Sequence, residues 1–296
     1  MIKINKFLFS VAVICSTIVL FIYSTKEPIK NTGDFYQIKA LKIPNNLNFA
    51  GEKIPLHKSD IRERIDKELL INTYWQSNAL LLIKRANKYF PIIEPILEKY
   101  SIPNDFKYLA VIESGLENVT SAAGAKGFWQ LMPHTAKERG LEVNSNVDER
   151  YHIEKATEAA CSYLLHSKDL FGTWTLAAAA YNAGNRGISR NLEKQQVENY
   201  YDLLLSTETQ RYLPRIIAIK EILSHANYYG FTYENEDLYI LEESTKIKVD
   251  TAISNIALFA KKMNCNYKEL KLHNPWLREN KLNNKSQKNY ILKIPK

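Results

Sequence analysis

The sequence predicts a mainly α protein that ends in a small βααβ module. Apolar residues recur at helical spacing through residues 59–232, and alternating strand patterns are nearly absent before residue 235. After that point, two short strand patterns enclose two short helical patterns. The chain has 296 residues, of which 45% are hydrophobic and 24% charged, as is typical of a globular protein of one or two domains.

The N-terminal residues have the pattern of a targeting segment. Lys3 and Lys6 precede an uncharged apolar run, residues 7–23. This run is intermediate in length between a signal-peptide core and a membrane-spanning helix, and its basic flank fits the positive-inside rule. We expect residues 1–23 to be a signal anchor or a signal peptide, with a small preference for the anchor. Lipidation of Cys15 is disfavoured, because Ile14 precedes it and the apolar run continues beyond it.

Residues 24–58 contain three prolines and little periodicity, which predicts a linker. Residues 59–232 then form the predicted helical domain, which is long enough for one packed core. Asp60 can cap a helix that begins at Ile61, and Pro91 and Pro95 interrupt the helical pattern that follows. Further helices are predicted at about 104–114, 134–139, 154–170, 173–182 and 207–228.

The tail, residues 233–296, has a different pattern. Tyr239–Leu241 and Tyr290–Pro295 resemble short strands. Ile253–Lys262 and Tyr267–His273 lie between them and have helical spacing. The tail is therefore expected to be a separate βααβ module.

Charge and cysteine usage exclude few functions. Residues 246–296 carry 12 Lys or Arg and 3 Asp or Glu, whereas the whole chain has a net charge of +8. A basic tail can meet nucleic acid, a membrane or an anionic polymer, or it can be a solvated lysine-rich surface. The cysteines have no metal-ligand or redox spacing. Buried small side chains are favoured for Cys161 and Cys265 over a disulfide between them.

Glu113 is the first candidate for chemistry. It follows four apolar residues and precedes Gly115, which should end the helix. Burial and the negative end of the helix dipole would both raise its pKa, as a proton donor at neutral pH requires. On these residues alone, an ordinary surface glutamate at a helix terminus is the favoured alternative.

Residues 121–133 form a second candidate segment. Gly124, Gly127 and several small residues predict a loop that lets its backbone approach a ligand closely. Phe128 and Trp129 offer a surface for a sugar ring, and Gln130 can hydrogen-bond an acetamido group. The alternative is a tight turn with at least one of the two aromatic side chains in the core.

Residues 174–184 form the third candidate segment. Four consecutive alanines allow a very close approach of neighbouring helices. Tyr181 and Asn182 then lie at a helix end before Gly184, where their polar groups can face a cleft. The alternative is an asparagine that caps the helix and a half-buried tyrosine.

Four segments in this order resemble glycoside hydrolase family 23, the lytic transglycosylases and goose-type lysozymes: Ala110–Gly115, Gly124–Pro133, Ala179–Gly184 and Glu208–Arg215. The resemblance implies a lysozyme-like α domain with Glu113 as the catalytic residue. It also implies that seven residues bind substrate: Ser114, Ser121, Gln130, Met132, Tyr181, Asn182 and Tyr212. The pair Phe128-Trp129 departs from the Leu-Met or Leu-Trp of many relatives, which alters the floor of the cleft.

The same resemblance implies one carboxylate that acts first as acid and then as base. Glycosidases generally use two carboxylates, yet Asp105, Asp148 and Glu149 are not obvious partners of Glu113. By the resemblance, Glu113 protonates the oxygen between N-acetylmuramic acid and N-acetylglucosamine of peptidoglycan glycan strands. The substrate's acetamido group stabilises the cationic centre, and Glu113 then deprotonates the C6 hydroxyl to close a 1,6-anhydro ring. No metal or cofactor is expected.

The tail resembles a LysM peptidoglycan-binding module in Ile253–Ala260, Leu270–Leu277 and Tyr290–Pro295. Its opening, Val249–Ala252, departs from the usual Gly-Asp-Thr-Leu, so sugar binding and a purely packing role both stay open.

We expect a monomer on the periplasmic side of the cell envelope, exported or anchored to the membrane through residues 1–23. The alternatives are a muramidase that hydrolyses the bond and a non-catalytic wall-binding protein. Export disfavours nucleic acid as a partner of the basic tail.

Overall fold

The computed structural model describes residues 38–296, so the predicted signal segment and the first part of the predicted linker, up to residue 37, lie outside the described residues. The α-helices within this range are α1 (Ser59–Tyr74), α2 (Gln76–Lys99), α3 (Lys107–Ser114), α4 (Pro133–Glu138), α5 (Ile153–Phe171), α6 (Trp174–Ala183), α7 (Asn185–Gln195), α8 (Thr207–Ser224), α9 (Ile256–Lys262) and α10 (Tyr267–His273). The strands are β1 (Asn48–Phe49), β2 (Glu52–Lys53), β3 (Ser244–Val249) and β4 (Tyr290–Pro295).

Five helices of the helical domain were predicted to within a few residues. These are α3, which a short 3-10 turn at Asn104–Phe106 precedes, and α4, α5, α6 and α8. The prediction missed α7 altogether. Ile188 is the one fully buried side chain of that helix, and Ile188 and Leu192 are its only large apolar residues, which are too few to predict a helix from the sequence.

Two details of the first helices differ from the prediction. Asp60 does not cap α1, because the helix already begins at Ser59, and Asp60 pairs instead with Arg64 at 3.1 Å. Pro91 and Pro95 both lie inside α2, which continues through them to Lys99. Both prolines are exposed on the outer face of the helix. The carbonyl groups that they leave without a backbone donor can therefore turn to water, which makes the prolines tolerable there.

The described part of the predicted linker packs onto the helical body. Phe49 is fully buried at the β1–β2 hairpin and meets the Phe106 ring edge-on at 5.0 Å. The Glu52 carboxylate accepts hydrogen bonds from the backbone N–H groups of Trp174 and Thr175, at 2.6 and 2.9 Å. These N–H groups lack partners within α6, and the carboxylate also complements the positive end of its dipole. From about residue 43, this segment is therefore part of the core.

The main core lies between α6 and the helices on either side of it. All four alanines of α6, residues 177–180, have no exposed surface. Helix α6 packs against α5 on one side and α8 on the other, and α1 packs along α8. The close packing predicted from the alanine run is confirmed, and it brings the C-terminal end of α6 next to α8.

The tail forms a βααβ unit whose first strand differs from the prediction. The antiparallel pairing runs from Ser244 opposite Pro295 to Val249 opposite Tyr290. The predicted strand at Tyr239–Leu241 is not one; Tyr239 instead accepts a hydrogen bond through its carbonyl from the Asn87 side chain at 3.0 Å. Helix α10 has the predicted bounds, and Asn266 and Glu269 form a reciprocal cap at its start.

A second apolar cluster fills the tail module and extends into the helical body. The side chains that the tail contributes include Ile256, Leu270, Trp276 and Leu292, and Val147 and Tyr151 of the body complete the cluster. The module thus shares its core with residues outside it.

No helix among residues 38–296 has both the length and the apolar character needed to cross a bilayer. Cys161 and Cys265 are free thiols, so they form no disulfide. Cys161 is fully buried in the main core, as expected, and Cys265 packs at the edge of the tail cluster.

Candidate active site

Glu113 lies in the last turn of α3, a helix that is buried on most sides. Leu109, Ala110 and Val111 have almost no exposed surface. Gly115 ends the helix in the left-handed conformation, with φ of 62°, and its N–H donates to the Val111 carbonyl at 2.8 Å. Glu113 itself keeps a partly exposed side chain. The helix end predicted from the apolar run and the glycine is therefore observed.

Burial raises the pKa of Glu113 to about 7. The Tyr212 hydrogen bond opposes this effect, the negative charge of Glu208 adds to it, and the positive charge of Arg215 opposes it. Desolvation is the largest of these causes, because the charged carboxylate loses water that its surroundings replace only in part. A carboxyl group with a pKa near 7 is protonated in about half of the molecules at neutral pH, so it can donate a proton there.

Tyr212 reaches Glu113 from α8. Its hydroxyl donates a hydrogen bond to Oε1 of Glu113, and the tyrosine is 5% exposed. Burial and the negative charge of Glu113 both raise the pKa of Tyr212 well above its ordinary value. Tyr212 is therefore a neutral hydrogen-bond donor at neutral pH.

The loop from Ser121 to Leu131, hereafter the active-site loop, folds back beside this helix end. Lys126 forms isolated bridges with Thr120 and with Leu131. Phe128 and Trp129 are both buried, and the indole N–H of Trp129 donates to Thr157 Oγ1 at 2.8 Å. The expectation that this aromatic pair offers a surface to a sugar ring is therefore wrong. The two rings anchor the loop in the core instead.

The remaining predicted residues of this loop mostly contact its own backbone. Ser121 Oγ accepts a hydrogen bond from the Ala125 N–H at 3.0 Å. Gln130 has a positive φ of 44°, and its side-chain nitrogen donates to the carbonyls of Gly127 and Val119 at 2.8 and 3.2 Å. Both amide hydrogens are thereby used, so the side-chain oxygen is the atom that can accept from a ligand.

Ser114 ties the loop to α3. Its hydroxyl lies within hydrogen-bond distance of the carbonyls of Phe128, at 2.9 Å, and Ala110, at 3.2 Å, and the residue is 9% exposed. Met132 directly precedes α4 and is partly exposed. Ser114 thus has a supporting contact within the protein, while Met132 still has surface to offer a ligand.

Tyr181 and Asn182 lie at the end of α6. The Tyr181 hydroxyl donates to the Trp129 carbonyl at 2.7 Å, which fastens the active-site loop to α6. Asn182 does not cap the helix; Gly184 holds that place. Asn182 Oδ1 accepts from Thr209 Oγ1 at 2.8 Å instead, at the start of α8. Tyr181 thus contacts the active-site loop, and Asn182 contacts the start of α8, the helix that also carries Tyr212.

Two charged groups near the site were not predicted. Glu208 lies in the first turn of α8 within 3.5 Å of the Asn182 side-chain nitrogen. Glu68 is 1% exposed and holds Arg211 at 2.6 Å and Arg215 at 3.7 Å. The burial of Glu68 could have been predicted from the sequence. Glu68 lies at helical spacing from Ile61 and Ile65, on the apolar face of α1.

The other carboxylates considered in the sequence are engaged elsewhere. Asp105 pairs with Lys220 at 2.6 Å, and Asp148 pairs with Arg150 at 2.7 Å. Glu149 pairs with Lys155 and Lys288. Residues 38–296 contain no cluster of three His, Cys, Asp or Glu side chains that could hold a metal ion.

Two family descriptions match this chain. The Transglycosylase SLT domain matches residues 90–204, and the soluble lytic transglycosylase C-terminal LysM-like domain matches residues 245–296. The chain thus carries an SLT transglycosylase domain and a LysM-like C-terminal domain. The predicted fold class, a mainly α lysozyme-like domain with a βααβ LysM-like tail, is confirmed.

A known protein is similar to this chain in sequence. The chain is 29% identical over 198 residues to membrane-bound lytic murein transglycosylase D of Escherichia coli (strain K12), which covers 64% of this chain and 43% of that protein. The chain therefore spans less than half the length of this curated relative. The resemblance to lytic transglycosylases seen in the motifs is confirmed by this homology.

Two solved structures are also similar. The 70 kDa soluble lytic transglycosylase SLT70 of Escherichia coli is 23% identical with a TM-score of 0.40, and the alignment covers 47% of this chain and 24% of that one. The lytic transglycosylase Slt of Pseudomonas aeruginosa is 18% identical with a TM-score of 0.40, over 52% of this chain and 27% of that one.

Proposed function

We propose that this protein is a peptidoglycan lytic transglycosylase. It cleaves the β-1,4 bond between N-acetylmuramic acid and N-acetylglucosamine and leaves 1,6-anhydromuramic acid ends. The SLT domain and the homologous murein transglycosylase support this assignment. The observation that carries it is the carboxyl group of Glu113, which has a pKa of about 7 and keeps a partly exposed side chain beside Tyr212.

Glu113 acts first as the acid. Its proton passes to the glycosidic oxygen as the bond to the muramic C1 breaks, so the leaving sugar departs as a neutral alcohol. The developing positive charge at C1 is met by the oxygen of the substrate's own acetamido group. Glu113 is then ionised, and the Tyr212 hydroxyl stabilises its negative charge.

Glu113 acts next as the base. It takes the proton of the muramic C6 hydroxyl while O6 attacks C1 and displaces the acetamido oxygen. The ring closes, Glu113 regains its proton and no water is consumed. Seven residues are proposed to bind the glycan around this step: Ser114, Ser121, Gln130, Met132, Tyr181, Asn182 and Tyr212.

A single carboxylate suffices for this sequence of steps. The engagement of Asp105, Asp148 and Glu149 with lysine or arginine removes these three as the second carboxylate that a hydrolase of the common type needs. Glu208, whose negative charge acts on Glu113, is the carboxylate that such a hydrolase would have to use. A muramidase that uses water remains the competing activity, and its products differ chemically.

We also propose a location and a division of the chain. Lys3, Lys6 and the apolar run that follows support export across the inner membrane or anchoring in it, with the enzyme on the periplasmic side. The name of the relative describes that protein as membrane-bound. The catalytic domain extends to about residue 232, and the LysM-like module follows and contributes contact with the wall.

The test is digestion of purified sacculi by the wild-type protein and by Glu113→Gln, followed as loss of turbidity. The substitution removes the proton and keeps the shape, so activity should fall by at least about a thousandfold. Glu98→Gln, an exposed carboxylate of α2, is the matched control and should be unaffected. Wild-type turnover by Glu113→Gln would overturn the assignment.

A further inference from the structure

The LysM-like module docks on residues 142–154 of the catalytic body, and the middle of this stretch, residues 146–151, makes the contacts that lead to the active-site loop. The Asp148 N–H donates to the Trp276 carbonyl at 3.0 Å, and Val147 forms a bridge with Leu277. Asn146 is 6% exposed, and its side chain donates to the Lys281 carbonyl and accepts from the Asn283 N–H, each at 2.8 Å. These contacts fix the segment from the module side.

The same segment holds the active-site loop from the other side. The Arg150 guanidinium is 3% exposed and pairs with Asp148 through Nε at 2.9 Å and Nη2 at 2.7 Å. Its remaining nitrogen, Nη1, donates to the carbonyls of Gly124 at 3.0 Å and Leu131 at 3.2 Å. These two carbonyls lie near the two ends of the active-site loop, so one side chain spans the base of it.

The backbone of the segment also touches the loop directly. Gly127 has φ of 78°, and a Cβ at this position would lie 1.9 Å from the carbonyl oxygen of Arg150. Only glycine allows this approach. The loop and the segment are therefore packed without space between them, and a shift of one requires a shift of the other.

We propose that Arg150 is a positioning residue for the active-site loop and that the LysM-like module, by docking on residues 146–148, keeps Arg150 in place. The module is then a brace for the catalytic machinery in addition to any wall contact of its own. The inference rests on the proposed function in one respect: the braced loop carries Ser121 and Gln130, which are assigned there to the glycan.

The geometry of Arg150 explains why this residue type is required. Its donors are held in a rigid planar fork, which meets the Asp148 carboxylate and two carbonyls at once. A lysine at this position would retain the charge and the pairing with Asp148. Its single ammonium group could not also span Gly124 and Leu131. Arg150→Lys therefore separates the role in charge balance from the role in holding the loop.

The first experiment is hydrogen exchange on the full chain, compared between wild type, Arg150→Lys and Arg150→Met. The reporters are the loop amides of Ser121, Lys126, Gly127 and Leu131, each of which donates a backbone hydrogen bond. Helix α8 is the internal reference. Both variants should speed exchange in the loop by roughly tenfold or more and leave α8 unchanged. Normal loop exchange in Arg150→Lys would overturn the proposed role.

The second experiment loosens the docking without touching the loop. Asn146→Ala removes three side-chain hydrogen bonds to the module, those to Glu279, Lys281 and Asn283. It should speed loop exchange in the same amides, and on soluble glycan strands it should lower kcat on the order of tenfold with little change in KM. Lys285→Ala, an exposed position of the same module loop, is the control. Unchanged loop exchange in Asn146→Ala would overturn the brace.

The two hypotheses fail separately. Hydrogen exchange of the loop amides tests the brace and needs no substrate. Digestion of sacculi by the wild type tests the enzymatic activity. A faster-exchanging loop in a protein that cleaves no glycan would support the brace and overturn the proposed function. Full activity together with unchanged loop exchange in every variant would support the proposed function and overturn the brace.

Discussion

The hydroxyl of Tyr212 donates a hydrogen bond to the carboxylate of Glu113, although the two residues lie 99 positions apart in the chain. One side chain comes from the second turn of α8 and the other from the last turn of α3. Burial raises the pKa of Glu113, and this hydrogen bond restrains the increase. The balance leaves a group that can both donate and accept a proton near neutral pH.

Removal of the Tyr212 hydroxyl should raise the pKa of Glu113 further. In Tyr212→Phe the charged carboxylate loses a donor, so the protonated form is favoured. Since the first step needs protonated Glu113, the alkaline limb of kcat/KM should move to higher pH, by about one unit. The measurement is a pH–rate profile on soluble glycan strands.

Tyr108→Phe is the control for this shift. Tyr108 is also buried on α3, but its hydroxyl meets Ser224 at 3.1 Å and not Glu113. Its profile should match that of the wild type. A Tyr212→Phe profile that does not move, or that moves to lower pH, contradicts the assigned hydrogen bond.

Loss of the negative charge at Glu208 should act in the opposite direction. Glu208 raises the pKa of Glu113, so Glu208→Gln should lower it and move the alkaline limb to lower pH, by roughly half a unit. Because Glu208 is exposed, the difference from wild type should shrink in high salt. The same profile, measured at low and at high ionic strength, checks both statements.

The raised pKa of Glu113 should also cost stability above pH 7. The folded protein holds this proton up to a pKa of about 7, whereas the unfolded chain releases it near 4.5, the ordinary pKa of a glutamate side chain. The contribution of Glu113 to the free energy of unfolding therefore falls as pH rises from 4.5 to 7 and stays low above that range. Glu113→Gln should raise the free energy of unfolding at pH 8 by at most ~3 kcal/mol.

Urea denaturation of both proteins at pH 4.5 and pH 8 tests this difference. The increase in the free energy of unfolding of Glu113→Gln over wild type should be present at pH 8. It should be small at pH 4.5, where Glu113 of the folded wild type is protonated and therefore also uncharged. Glu98→Gln should change neither value by more than ~0.5 kcal/mol. An equal gain at both pH values would point to packing rather than to the carboxylate.

The LysM-like module has a lysine-lined groove that should contribute to wall binding. Lys248, Lys261 and Lys262 line it together with Phe259. Neutralisation of Lys261 and Lys262 to glutamine, in a full chain that also carries Glu113→Gln, should reduce retention on insoluble peptidoglycan severalfold at low salt. Lys285→Gln is the exposed control. Equal retention of both variants would leave the module with a structural role alone.

The surroundings of Glu113 within α3 could be predicted because they are local. An apolar run followed by Gly115 specifies a buried helix and its end, and burial then raises the pKa. The Tyr212 hydrogen bond and the Glu68 pairing with Arg211 bring together distant segments, which no periodicity reports. Only the family resemblance placed Tyr212 near the substrate.

Other parts of the site were predicted incorrectly or missed for physical reasons. Aromatic residues such as Phe128 and Trp129 occur both in sugar-binding surfaces and in hydrophobic cores. Only their burial in the folded protein distinguishes these two roles. Helix α7 has only two large apolar residues, Ile188 and Leu192, which are too few to predict a helix. The docking of the tail on Asn146 uses backbone groups and asparagine side chains, which carry no apolar signal in the sequence.

Product analysis of sacculus digests tests the central claim most directly. Wild type, Glu113→Gln and Glu98→Gln are compared in parallel, and the soluble muropeptides are identified by mass spectrometry. We expect 1,6-anhydromuropeptides from the wild type and from Glu98→Gln, and no product from Glu113→Gln. Muropeptides with only reducing ends would contradict the claim, because they carry the water of hydrolysis that ring closure excludes.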